Sequence, residues 1–199
     1  MSKGKMYVVS GPSGVGKGTV VKGLLEKYSE IFLSVSATTR EKREGEEEGI
    51  NYYYKGKQEF TDMIEKGEFL EWAKFCENYY GTPKKPVEKM LDAGKDVLLE
   101  IEIQGAMEVK KNFPESIFIF IAPPTVNDLL ERLKGRGTEP EDVIALRVET
   151  AKKELGFAKE YDYIIVNDIV EKTVEDFISI ITAERLKTER CIDELEVLK

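Results

Sequence analysis

Residues Gly11-Pro12-Ser13-Gly14-Val15-Gly16-Lys17-Gly18-Thr19 constrain this chain more tightly than any other segment. They follow the apolar run Met6 to Val9 and open directly onto Val20, Val21, Leu24, Leu25 and Tyr28, spaced as one face of a helix. A glycine, four residues, then Gly-Lys between a strand and a helix is a P-loop in its required setting. Average composition would produce the bare pattern by chance in roughly one chain in a hundred of this length, before that setting is demanded. The glycines let successive backbone N–H groups curl round a phosphate, the helix N-terminus adds its positive end, and Lys17 reaches the β and γ oxygens. The result is a cradle for a nucleoside triphosphate. The strict pattern places Ser or Thr directly after the lysine to ligate Mg²⁺, whereas here Gly18 stands there and Thr19 follows. Mg²⁺ is therefore expected to be held mainly by phosphate oxygens and water, with an acid nearby. Glu100, ending the apolar run Val97-Leu98-Leu99 at the carboxyl end of a strand, is the candidate.

A P-loop needs a sheet behind it, and the sequence supplies one. Ile31 to Val35, Val97 to Ile101, Ile117 to Ile121 and Tyr163 to Val166 are short apolar runs of the same kind as Met6 to Val9. Helical spacing recurs between them, as in Val126, Leu129, Leu130 and Leu133, and again in Phe177, Ile178, Ile181 and Leu186. Strands without polar alternation, separated by helices, predict an α/β fold: a P-loop core whose parallel five-stranded sheet is flanked by helices. Two segments break the alternation. About 36–84 is rich in aromatic residues and reads as a mixed α+β lobe, and about 125–155 reads as helix-break-helix. The core is left with 1–35, 85–124 and 156–199.

Composition now excludes several chemistries. The chain has no histidine, so Ser-His-Asp and Cys-His nucleophiles, His-ligated zinc and an imidazole general base are all absent. The 199 residues carry 30 Lys+Arg against 38 Asp+Glu, a formal charge of −8, which offers no positive field to nucleic acid or an anionic membrane. Two cysteines, Cys76 and Cys191, make no disulfide framework or four-cysteine metal site. No apolar run approaches the ~20 residues that span a bilayer. A cytoplasmic protein without a nucleic-acid or membrane partner is expected.

The acceptor of the phosphoryl group must be read elsewhere. Beside Gly11 to Thr19 stand Ser36-Ala37-Thr38-Thr39-Arg40 with Arg43 and Gly45, Asn78-Tyr79-Tyr80-Gly81-Thr82 and Leu99-Glu100-Ile101-Glu102-Ile103-Gln104-Gly105. Further on come Arg132 with Gly135-Arg136-Gly137-Thr138-Glu139, and Val166-Asn167-Asp168. In order and spacing, over nearly the whole chain, these six segments resemble the guanylate kinases. The resemblance implies transfer from Mg-ATP to GMP, and to dGMP as well, by a monomer or homodimer in which 36–84 is the GMP-binding lobe and 125–155 the lid. It implies that Gly11, Pro12, Ser13, Gly14, Val15, Gly16, Lys17, Gly18 and Thr19 hold ATP, with Asn167 near the adenine. Arg40, Arg43, Tyr52 and Tyr80 would hold the GMP phosphate, while Ser36, Glu71, Thr82 and Glu102 face the guanine. Arg132, Arg136 and Arg147 would close on the ATP phosphates and, with Lys17, Arg40 and Arg43, form the catalytic set. At Glu102 the family commonly has Asp, one methylene shorter. Two other readings are a guanylate-kinase-like module that binds phosphopeptides without catalysis, and a P-loop kinase for another nucleoside monophosphate.

The chemistry of these side chains agrees with a guanine. Its Watson–Crick edge offers N1–H and N2–H₂ beside the O6 acceptor, so Glu71 and Glu102 can accept and the Thr82 hydroxyl can donate. Adenine presents an unprotonated N1 that would repel a carboxylate. Arginine's planar fork at Arg40 and Arg43 suits a phosphate dianion.

Overall fold

A computed structural model describes residues 3–75, 77–134 and 141–192. Its principal sheet contains the five strands expected, β1 (Met6–Ser10), β2 (Ile31–Leu33), β7 (Asp96–Glu100), β8 (Ile117–Ala122) and β9 (Tyr163–Val166), in the order β2-β7-β1-β8-β9. All four pairings are parallel. The P-loop strand β1 is central, as its continuous burial requires.

Alternation along β1 divides the core. Tyr7 and Val9 face α1 (Lys17–Lys27) and α7 (Val170–Arg185), meeting Val20, Val21, Leu24, Val174, Phe177 and Ile181. Met6 and Val8 face the opposite layer, α3 (Lys84–Asp92) and α4 (Ile103–Asn112), where Val87, Leu91, Ala106 and Val109 cover Val97, Leu99, Phe118 and Phe120. Each buried branched or aromatic side chain contributes about 1.5–3 kcal/mol by leaving water, so two such layers fix the sheet firmly beneath the loop.

The sheet is also braced at its far end. Asp96 opens β7 almost wholly buried and accepts from the Lys5 backbone N–H at 2.8 Å, Arg185 Nε at 2.9 Å and Arg190 Nη2 at 3.2 Å. Arg190 belongs to α8 (Thr188–Cys191), so one carboxylate ties the sheet to two helices near the C-terminus.

Residues 37–83 build a second sheet, β3 (Ala37–Thr38), β4 (Tyr53–Tyr54), β5 (Phe69–Phe75) and β6 (Asn78–Pro83), ordered β4-β3-β6-β5. Helix α2 (Lys57–Glu65) buries Phe60 against Phe69 and Tyr79, with ring centroids at 4.4 and 5.5 Å. Beyond β8, α5 (Val126–Lys134) and α6 (Glu141–Leu155) share a small core of Leu129, Leu133, Ile144 and Ala151. No helix among the described residues is long and apolar enough to cross a membrane.

Candidate active site

The loop between β1 and α1 turns through two left-handed glycines, Gly14 at φ 89° and Gly16 at φ 95°, a region that β-carbon-bearing residues rarely enter. Gly14 is also short of space: a Cβ there would lie 2.7 Å from Leu133 Cδ2, so α5 rests directly on the loop. Lys17 begins α1, and its ammonium donates to the Gly11 carbonyl at 2.6 Å, folding the side chain back over the cradle.

Several groups hold the cradle from outside. Arg132 on α5 donates to Val15 O at 3.2 Å and Asn167 O at 2.8 Å, while Asn167 Nδ2 donates to Val15 O at 2.8 Å. Asn167, just beyond β9, is buried, and its Oδ1 accepts from Thr173 Oγ1 at 3.0 Å. Ser10, the last residue of β1, shares a 2.5 Å hydrogen bond with the Tyr161 hydroxyl, whose pKa burial pushes up to about 12. Burial lifts the carboxyl of Glu154 on α6 above the usual range, and the Ser13 backbone N–H near it draws it part of the way back. The sequence reading missed Glu154 and Tyr161. Helical spacing places Glu154 three residues after the buried Ala151, which is the one signal that could have drawn attention to it.

Glu100 stands at the carboxyl end of β7 beside the loop. A Cβ on Gly18 would lie 3.6 Å from Glu100 Oε1, so this carboxylate borders the place of the missing hydroxyl. Burial raises its pKa, Lys17 pulls it back, and Glu102 raises it again. A partly buried carboxylate beside the P-loop lysine is a suitable oxygen ligand for Mg²⁺. Among the described residues, no three acidic, histidine or cysteine side chains gather as a metal site.

The second sheet brings forward a different set. Glu71 on β5 lies opposite Thr82 on β6, and Thr82 Oγ1 donates to Glu71 Oε1 at 2.6 Å. Only 6% of Glu71 is exposed; burial, with some repulsion from Glu108, outweighs the Thr82 hydrogen bonds and lifts its carboxyl to about 6. Glu102 is the exposed residue preceding α4. Tyr52 and Tyr80 meet edge to face with centroids 6.1 Å apart, and the Arg40 guanidinium lies 5.4 Å from the Tyr52 ring centre. Arg40 Nη2 donates to Glu46 Oε1 at 2.7 Å, while Glu46 Oε2 accepts from the Arg43 N–H at 2.9 Å and the Tyr54 hydroxyl at 2.8 Å. These donors, Arg40 first, hold Glu46 down to about 2. Within the acidic run Glu44 to Glu48, Glu46 is thus a working part, fixing Arg40 in place. Arg43 is exposed, Ser36 is half-buried just before β3, and Arg147 is half-buried on α6. Arg136 and Cys76 lie outside the described residues.

A P-loop on a parallel sheet, joined to a second sheet that carries a buried carboxylate and hydroxyl, has the architecture of a P-loop phosphotransferase. Sequence comparison fixes which. The guanylate kinase family model matches residues 3–184, and the chain belongs to that family. It is 50% identical over 187 residues to the guanylate kinase of Desulfitobacterium hafniense, covering 94% of both chains. It is equally identical over 199 residues to that of Clostridium tetani, covering 100% of this chain and 95% of the relative. The crystal structure of guanylate kinase from Anaplasma phagocytophilum superposes with a TM-score of 0.78 at 36% identity, covering 98% and 94% of the two chains.

Proposed function

We propose that this protein transfers the γ-phosphoryl group of ATP to GMP, and to dGMP, with Lys17, Arg40, Arg43, Arg132, Arg136 and Arg147 as the cationic machinery. The observation that carries the acceptor assignment is the buried Glu71–Thr82 pair, a carboxylate and a hydroxyl held 2.6 Å apart on a rigid hairpin. Guanine's N1–H and N2–H₂ are donors for the carboxylates of Glu71 and Glu102, and as they take over the carboxylate the single Thr82 hydroxyl proton turns from Glu71 to O6. Adenine would set the lone pair of its unprotonated N1 against a buried, charged Glu71 that has gained no new donor. Sites built to hydrogen-bond one partner reject the wrong one by about 10⁴.

The nucleophile is an oxygen of the GMP phosphate, ionised near neutral pH, so no general base is required and the absence of histidine costs the reaction nothing. An oxygen lone pair forms a bond to the γ-phosphorus of ATP in line as the bond to the β–γ bridging oxygen breaks, and ADP leaves. The protein's own contribution is positioning and neutralisation. Lys17 and the loop N–H groups hold the β and γ phosphates, and Arg40 and Arg43, steadied by Glu46 and Tyr52, hold the acceptor phosphate with Tyr80. Arg132, Arg136 and Arg147 neutralise the group in flight. Ser36 lies toward the base and Asn167 toward the adenine. Mg²⁺, bound mostly to phosphate oxygens with Glu100 as the protein ligand, would screen the negative charge of the triphosphate. A reducing cytoplasm suits the free Cys191 thiol.

Closure of 36–84 and 125–155 over the core would exclude water as a competing acceptor. Small-angle scattering with a bisubstrate analogue should show compaction, and an unchanged radius of gyration counts against closure. Phosphoryl transfer assayed with GMP, dGMP, AMP and IMP tests the acceptor reading; a preference for AMP removes it.

A further inference from the structure

Gly105 lies in the first turn of α4, buried, with an ordinary helical backbone. Glycine there is unfavourable on its own account, costing a helix about 1 kcal/mol relative to alanine. No positive φ demands it, so space must. A Cβ at position 105 would stand 2.5 Å from Glu71 Oε2, 3.0 Å from its Cδ and 3.3 Å from its Cγ. The three nearest atoms all belong to one side chain, and that side chain cannot swing freely. Thr82 holds its other oxygen at 2.6 Å, and its backbone is locked in register with Thr82 across the β5–β6 hairpin.

Resting on the guanine reading of the Glu71–Thr82 pair, we propose that Gly105 is a positioning residue for base recognition: its missing side chain sets how deeply the Glu71 carboxylate seats and hence where it aims. A methyl group at this position must push the carboxylate off Thr82 or lift α4. Either movement displaces the acceptor from N1–H and N2–H₂ of the base. The P-loop lies on other elements, so ATP binding should be untouched. A hydrogen bond to a charged group is worth about 1.5–3 kcal/mol, which converts to a loss of about 10- to 150-fold in GMP affinity.

The test is calorimetric GMP binding without ATP, together with the KM for ATP, in the wild type, G105A, E71D, E71D/G105A and E71Q. G105A is expected to raise the GMP Kd at least tenfold and leave the ATP KM within about twofold. In the E71D background, where the shorter arm leaves room for the methyl, the same change should cost less than about threefold. An unchanged GMP Kd in G105A overturns the proposal, as does an equal penalty in both backgrounds or an equal loss for ATP. Should G105A fail to fold, restoration of folding and GMP binding by E71D supports the proposal, and failure to restore them overturns it. E71Q separates the two levels of inference. Weakened GMP binding in E71Q with none in G105A overturns the role of Gly105 alone, whereas unchanged binding in E71Q removes the guanine reading and the proposal together.

Discussion

Replacing Glu71 by glutamine should make the protein's stability less sensitive to pH, by an amount the structure allows to be worked out. Burial lifts the Glu71 carboxyl from 4.5 to about 6. Between those values the folded protein holds a proton on Glu71 that the unfolded chain releases, so stability falls as pH rises through this window. At about 1.36 kcal/mol per unit, a shift of about 1.5 units means that ionised Glu71 costs the fold about 2 kcal/mol above pH 6, and half of that cost has accrued by about pH 5.2. Glutamine has nearly the same shape, its Oε1 can still accept from Thr82, and it does not titrate. Any constant penalty for burying its amide cancels when the stability difference between E71Q and wild type is followed against pH. Other carboxylates raised in the fold, Glu100 and Glu154, cancel as well. Urea unfolding at pH 4.5 to 7.5 should show the difference moving in favour of E71Q by about 1.6 kcal/mol across that range, nearly all of it below pH 6.5. In thermal melts this is a relative shift of about 3–6 °C for a chain of this size. A difference independent of pH, or one that moves against E71Q as pH rises, is incompatible with a raised Glu71 carboxyl in the folded protein. On the proposed guanine reading the cost has a functional meaning, since an incoming base would add its N–H donors to those of Thr82 on an ionised Glu71.

If the same carboxylate receives the base as proposed, GMP Kd should rise about tenfold from pH 7 to pH 5 through protonation of Glu71, over and above the titration of the GMP phosphate. E71Q should show only the phosphate component, and identical pH profiles for the two proteins would sink the assignment. Lys17→Met should leave the circular dichroism spectrum and Tm near wild type and nearly abolish turnover; retention of most activity contradicts the mechanism. Asp96→Ala should cost about 3–5 kcal/mol in urea unfolding, because it strands the largely buried Arg190 and takes from Arg185 one of its two carboxylate partners, leaving it Glu30. A loss below about 1 kcal/mol would show that the cluster is not a clamp.

What could be read from the sequence was local or periodic. The P-loop is nine consecutive residues, and the five strands are apolar because a parallel sheet covered on both faces leaves no polar side. Boundaries shifted where tertiary contacts decide them: the second strand ends at Leu33, two residues before the apolar run does, and the α7 helix begins at Val170, ahead of its first core residue. The non-local features were hidden. Phe69-Leu70-Glu71-Trp72 does not show that Glu71 points inward; its burial depends on Thr82 across a hairpin and on Gly105 from another helix. Glu46 is indistinguishable in sequence from its acidic neighbours, and only the fold brings Arg40 and Tyr54 onto it. Asp96 gathers partners from both ends of the chain.

If a P-loop delivers the phosphoryl group and a buried carboxylate chooses the base, the decisive quantity is kcat/KM for GMP against AMP, with ATP saturating, in wild type and E71Q. GMP should exceed AMP by about 10⁴ in the wild type, and E71Q should narrow the ratio by at least tenfold through GMP while the ATP KM is unchanged. Comparable use of AMP by the wild type, or a ratio that E71Q leaves intact, would contradict base choice by Glu71.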